Sequence, residues 1–309
     1  MKKIIVFLTL FFTTTISFAQ LAGKAGTFTR MGFNARTIGM GNAFTAVIDN
    51  GISFYNPAVT PFLTQRNVSA SFGILSLDRS LNTLSYSQPL APAAGLSASI
   101  FNAGVRNIDG RDNAGNHTSM YSTSENQFAF TFGNRFSKKL ALGVGLKIYY
   151  YSLFEKVSST GFGIDIGAIY NATEDITIGA TVRDILTKYR WDTSELYGKN
   201  GNSTKEQFPL LRTFGISYRL PENFGIVSAE IENSNQQTNN IRVGTEIHII
   251  EQLSLRAGVE NVNAEEIAPT FGFTVRTNFE TFSPSLHYAF RLEPYGFFGM
   301  HVISLSTAF

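Results

Sequence analysis

The chain has 309 residues, no cysteine, and a formal charge of +2 from 25 Lys and Arg against 23 Asp and Glu. These figures exclude a disulfide-stapled scaffold, and without any basic run they leave no footprint for nucleic acid or an acidic substrate. Charged residues are only 16% of the chain while Phe occurs 28 times and Trp once, short of the roughly 25% charge of ordinary soluble domains.

The chain opens with MKKIIVFLTLFFTTTISFAQ, in which Lys2 and Lys3 precede an apolar run from Ile4 to Phe12 and small residues stand at Ser17 and Ala19. That order is the pattern of an export signal cleaved before Gln20, so residues 1–19 are expected to be a signal peptide. The run is too short for a spanning helix, and no later apolar run approaches ~20 residues. Residues 20–66 follow, apolar and punctuated by Gly39, Gly41 and Gly51, with neither a period of two nor a helical stripe. The glycines allow tight turns or close backbone approach. Asn56 before Pro57 and Ala58 reads as a helix start, with Asn as cap and Pro at the first helical position.

From residue 67 the pattern changes to alternation. In LALGVGLKIYYY, Leu140, Leu142, Val144, Leu146, Ile148 and Tyr150 share one face. Phe128, Phe130 and Phe132 do the same in QFAFTFGNRF, as do Phe162, Ile164 and Ile166 in GFGIDIGAIY. Such segments of about 10 residues with period two suit strands that cross a bilayer. The opposite face holds Gly, Ala, Ser and Thr with isolated charges: Lys147, Asp165, Arg183, Arg242, Glu246, Arg256, Glu260 and Arg276. A water-facing sandwich would carry more Lys and Glu, whereas small residues with sparse, pairable charges suit a crowded barrel interior.

About fourteen strand-like segments can be counted, an even number that returns both ends to one side. The short connections QPLAPA, FSKK, NATED, LPEN, IIEQ and NFET fall at every second junction, and the alternate junctions carry long loops from Gly104 to Glu125 and from Leu186 to Leu210. Short turns on one side and long loops on the other is the asymmetry of outer-membrane barrels. The last strand, MHVISLSTAF, puts Ile303 and Leu305 on the face of Phe309, the form of signal read by the barrel assembly machinery. The expected fold is all-β, a 14-stranded antiparallel transmembrane β-barrel over residues 67–309, set in outer-membrane lipid. Its interior is too wide for its own side chains to fill, so residues 20–66 are expected to be a small N-terminal plug or hatch.

GFNARTIGMGNAFTAVIDNGISFYNPA, behind a signal sequence and ahead of a Phe-terminated barrel, resembles the PorV/PorQ family of outer-membrane proteins, itself similar to the FadL long-chain fatty-acid transporters. The pattern is carried by Arg36, Gly39, Met40, Gly41, Phe44, Asp49, Asn56, Pro57 and Ala58, with Tyr55 where the family often has Trp. The resemblance implies a FadL-like barrel with an N-terminal hatch. It further implies a non-enzymatic role, in which the barrel binds type IX secretion subunits or the C-terminal domains of secreted cargo.

Little else points to chemistry. His117, His248, His287 and His301 have no metal-ligand spacing, and no cysteine can assist them. The cluster Asp109, Asp112, Asn113 and Asn116 fails the EF-hand register and reads as an Asx-rich turn. No catalytic set, metal site, cofactor or nucleic-acid partner is expected. In the loop before Leu210, Tyr189, Arg190, Trp191, Tyr197 and Phe208 are the residue types that anchor interfaces, although a lone Trp at a loop base equally suits an aromatic belt. Docking of secretion partners by this loop is the leading expectation. The alternative is FadL-like passage of hydrophobic small molecules. That needs a continuous apolar path behind the hatch, contact with Phe44, Phe54 and Tyr55, and a lateral opening where a Gly or Pro kinks a strand.

Overall fold

The computed structural model describes residues 24–48, 52–236, 239–262, 266–279, 281–293 and 299–309. The expected signal peptide, Gln20 and Asp49 lie outside the described residues. Sixteen strands form among the described residues. In order they are β1 (Asn67–Ile74), β2 (Arg79–Leu90), β3 (Ala94–Arg111), β4 (His117–Arg135), β5 (Leu140–Phe154) and β6 (Val157–Asn171). Then come β7 (Ile176–Ile185), β8 (Lys188–Asp192), β9 (Ser203–Gln207), β10 (Leu211–Arg219) and β11 (Gly225–Ser234). The last are β12 (Asn239–Ile250), β13 (Leu253–Val262), β14 (Glu266–Arg276), β15 (Ser283–Arg291) and β16 (Met300–Ala308).

Fourteen of these close into one antiparallel barrel, in which each strand pairs with its sequence neighbours and β1 pairs with β16. The exception is the junction where β7 pairs directly with β10, while β8 and β9 form a separate two-stranded sheet. Closure leaves no unpaired edge, and the alternation of side chains sorts the two faces. Along β6, Phe162 and Ile166 are 68% and 52% exposed whereas Asp165 between them is 3% exposed. The outer face of the whole barrel is a belt of Phe, Ile, Leu, Val and Tyr of this kind, the surface that hydrocarbon accepts and water does not.

The connections sort by end. Those between β2 and β3, β4 and β5, β6 and β7, β10 and β11, β12 and β13, and β14 and β15 are short, and they share an end with Asn67 and Ala308. The opposite end differs from the sequence reading. The expected loop from Gly104 to Glu125 is strand: β3 and β4 stay paired as far as Arg111 and His117, with register shifts at Val105/Ile108 and Asp109/Arg111. The alternation fades there because these residues rise above the apolar belt and are solvated on both faces, so no periodic signal marks them. At the tip, Asp112 Oδ1 accepts from the backbone N–H of Ala114 and Asn116 at 2.9 and 2.8 Å, an Asx turn. Asp109 is tied to His117 and Arg111, whose hydrogen bonds hold its carboxyl below the usual range. The expected loop from Leu186 to Leu210 likewise contains the β8–β9 hairpin.

The wall is irregular where β7 ends. Ile164 of β6 pairs with Ile185, Ile166 with Val182, and Asp184 and Leu186 both have φ 60°. The left-handed positions at this irregularity are an Asp and a Leu. Burial of a carboxylate is made tolerable there by partners: Asp184 Oδ1 accepts from Tyr149 at 2.6 Å and Lys147 at 3.1 Å, and Lys147 also pairs with Asp165 at 2.6 Å.

Candidate functional site

The described part of the segment before β1 runs against the inner face of the wall. Asn34 caps the short helix Ala35–Gly39, its Oδ1 accepting from Thr37 N–H at 2.9 Å. The expected helix after Asn56 is a 3-10 turn, Pro57–Phe62, with Asn56 capping Ala58 N–H at 3.0 Å. Pro61 inside it lacks the N–H that a longer α-helix would need.

The glycine motif has a physical reason. The Met40 backbone lies so close to β12 and β13 that a Cβ at Gly244 or Gly258 would fall 2.1 or 2.4 Å from Met40 backbone atoms. Gly41 has φ +59° with Val259 backbone beside it, and its N–H donates to Thr270 Oγ1 at 3.0 Å. Thr270 in turn donates to the Gly39 carbonyl at 3.1 Å. Across the lumen, Gly95, Gly133, Gly143 and Gly167 are consecutive cross-strand partners on β3 to β6. Cβ atoms there would meet the backbone of Thr60 and Pro57 and the side chains of Thr60 and Asn56 at 1.9 to 2.5 Å. A row of glycines thus makes a shallow track for the segment's main chain.

Charge fixes the other side. Arg36 grips Glu246 through Nε and a terminal nitrogen at 2.8 and 2.9 Å, and Arg256 binds the same carboxylate. Arg242 stands in register between Glu230 and Glu260, bonds them at 2.8 and 2.7 Å, and reaches Glu232 at 3.0 Å. Arg183 also pairs with Glu232, and Thr45 N–H donates to Glu230 at 2.9 Å. Arg276, placed by sequence with these interior charges, is only half-buried. Asn56 joins the two halves, donating to the carbonyls of Thr45 at 2.9 Å and Ala168 at 3.1 Å. Asn56→Ala strands the buried Thr45 carbonyl, the half-buried Ala168 carbonyl and the Ala58 N–H. It is expected to cost about 2–3 kcal/mol in a denaturant titration in detergent micelles. A loss below about 0.5 kcal/mol, within the scatter of surface changes, would remove Asn56 from this role.

Between track and charges runs a column of aromatic rings. From the long-loop end it passes Trp191, Tyr189, Phe208, Tyr149, Phe28 and Phe101, with successive centroids 4.7 to 6.3 Å apart. It continues through Phe33 to Tyr55 and Phe44 at 4.9, 5.2 and 6.0 Å. Arg36 covers Phe44, 5.6 Å from its centroid, and also lines a polar chamber of about 300 Å³ at the short-turn end with Asn34, Asn67, Arg276 and His287. At the other end Trp191, Tyr151 and Tyr189 line a cavity of about 430 Å³.

The residues singled out from sequence divide clearly. Gly39, Met40, Gly41, Phe44, Tyr55, Asn56, Pro57 and Ala58 are buried together in the lumen, and Arg36 nearly so. Tyr55 donates to Asn42 Oδ1 at 2.7 Å, a bond its hydroxyl supplies. Of the expected interface anchors, Tyr189, Trp191 and Phe208 point inward and are buried, because the hairpin folds over the lumen with Phe208 against Gly26. Arg190 and Tyr197 are exposed. Ile303, Leu305 and Phe309 face outward, 46%, 56% and 49% exposed. His248 and His287 face the interior and bond Ser254 and Thr274, whereas His301 sits on the outer face against Tyr288. Sequence reasoning missed Phe28, Phe33, Phe101, Tyr149, Glu230 and Glu232. The last two were readable, since they alternate with Ile231 on one strand.

No protein-family model matches the chain, and no curated protein does. Solved structures do match. The CymD monoaromatic hydrocarbon channel is 14% identical with TM-score 0.65, over 90% of this chain and 97% of that one. The toluene transporter TodX of Pseudomonas putida is 14% identical with TM-score 0.62, over 90% and 96%. A FadL homologue of Pseudomonas aeruginosa is 13% identical with TM-score 0.61, over 90% and 98%. Identity this low speaks for architecture alone, and the architecture is that of the FadL-family barrels.

Proposed function

We propose that the protein is an outer-membrane channel for hydrophobic small molecules, with residues 20–66 as its plug. The observation that carries this reading is the aromatic column, which joins a cavity at the long-loop end to Arg36 at the polar chamber. A barrel that only had to stay closed would be filled by the ion pairs already present, whereas stacked rings offer a hydrophobic guest a series of equivalent contacts. The apolar outer belt supports the membrane location. The fold shared with proteins described as hydrocarbon and toluene carriers supports the substrate class. Phe44, Phe54 and Tyr55 are buried, so a guest reaches them only when the plug shifts.

Locking the plug tests this. A Cβ at Gly215 would lie 3.4 Å from Thr45 Cβ, close to disulfide spacing, and the chain has no cysteine to interfere. Thr45→Cys with Gly215→Cys should block uptake of radiolabelled toluene by cells when oxidised and restore it on reduction. Equal uptake in both states would sink the moving plug. Uptake independent of the protein would sink the channel.

A second reading, docking of type IX secretion subunits or cargo at the outer face, draws on the sequence resemblance and on the exposed Arg190 and Tyr197. Mass spectrometry of native preparations separates the two. Large secretion subunits accompanying the barrel support docking, and a lone barrel carrying hydrophobes supports transport.

A further inference from the structure

The carboxylates of the lumen follow a rule with two exceptions. Asp165, Asp184, Glu230, Glu232, Glu246 and Glu260 each contact a Lys or Arg. Glu125 and Glu206, at the long-loop mouth, have no ion-pair partner among the described residues. Glu125 Oε1 accepts from Tyr189 at 2.8 Å, and Glu206 Oε2 accepts from Trp191 Nε1 at 3.0 Å. Both line the 430 Å³ cavity whose apolar walls are Tyr151, Trp191, Tyr189 and Val157. Lys24 stands at its rim, exposed and in no ion pair with either.

Elsewhere in this interior negative charge is neutralised by a cation of the chain itself. Here two carboxylates are held in place by neutral donors, among ring faces, beside an open volume large enough for a small molecule. Neutral donors orient a carboxylate without cancelling its charge, and ring faces add their own negative quadrupole. Arg30 attracts Glu125 without forming an ion pair with it, so a positive group entering the cavity supplies the contact that both carboxylates lack.

We infer that the mouth is a receptor for organic cations bearing an apolar group, such as aryl- or alkylammonium ions. The ammonium lies between Glu125 and Glu206, with the apolar portion against Tyr151, Trp191 and Val157. This rests on the channel reading and narrows its substrate class, since a neutral hydrocarbon gives the carboxylates nothing to bind. Trp191 is both the wall of the site and the only Trp of the chain, so its emission reports occupancy directly.

The test uses the full-length protein in an uncharged maltoside detergent, with Trp191 fluorescence titrated by benzyltrimethylammonium and by neopentylbenzene, its neutral carbon isostere. The expected result is a preference for the ammonium of at least about tenfold. Glu125→Gln and Glu206→Gln, which keep the oxygens that accept from Tyr189 and Trp191, should each bring the preference toward unity. Neopentylbenzene affinity should stay the same, with folding of the variants checked by circular dichroism. Equal or weaker binding of the ammonium in the unmodified protein overturns the cation inference while leaving the channel standing. A preference that survives both substitutions overturns the assignment to these carboxylates. If neither compound alters the emission, the mouth takes no guest, and the channel reading loses its entrance as well.

Discussion

Replacing Arg242 with Leu is expected to lower stability by about 3–5 kcal/mol, because it leaves charge buried without a counter-charge. Arg242 is 2% exposed and bonds Glu230, Glu232 and Glu260, each itself buried. Glu232 keeps Arg183 and Glu260 keeps Arg291, so the loss falls most heavily on Glu230, which among the described residues retains the Thr45 N–H alone. Adding Glu230→Gln to the Arg242→Leu variant should therefore recover a large part of the loss, a coupling that two independent sites would not show. Guanidinium titrations in micelles read both numbers. A single variant within about 1 kcal/mol of the parent, the range of a lone hydrogen bond, would mean that the interior is wet enough to solvate the carboxylates.

Gly95→Leu is the second change of large effect, and it works by volume. A Cβ at residue 95 would fall 1.9 Å from the Thr60 carbonyl oxygen, a backbone atom with no rotamer to retreat into. The ladder from β3 to β4 needs no glycine at this position, so the barrel should still close. The segment is then forced off its track, at about 3 kcal/mol or more for overpacking. In planar bilayers the expected outcome is a rise in conductance from a nearly closed state to that of an open lumen. Ala98→Leu, on the exposed face of the same strand, should leave conductance unchanged. Low conductance in both variants would show that the lumen is sealed without the segment.

The barrel was legible in the sequence because one rule, alternation, applies to every wall strand. Phe162, Ile164 and Ile166 against Gly163, Asp165 and Gly167 already state which face is which. The inward fold of Trp191 was not legible. A Trp that packs on Tyr151 inside the mouth and one that sits in an outer belt have the same neighbours in sequence, and only the β8–β9 register separates them. The track was half legible. Glycines at 95, 133, 143 and 167 read as small interior residues, but that they form one row depends on strand offsets, which short turns alone do not determine. The partner of Arg36 lies 210 residues away, and no local pattern could name it.

That separation also sets an order in time. Arg36 is made long before Glu246, Asn42 long before Glu260, and the Ala35 N–H bonds Ser304, 269 residues later. The segment before β1 is therefore the last to settle, since its resting place does not exist until the final strands have paired. Throughout that interval Phe28, Phe33, Phe44 and Phe54 travel uncovered. A chain built this way makes an apolar segment early and buries it late.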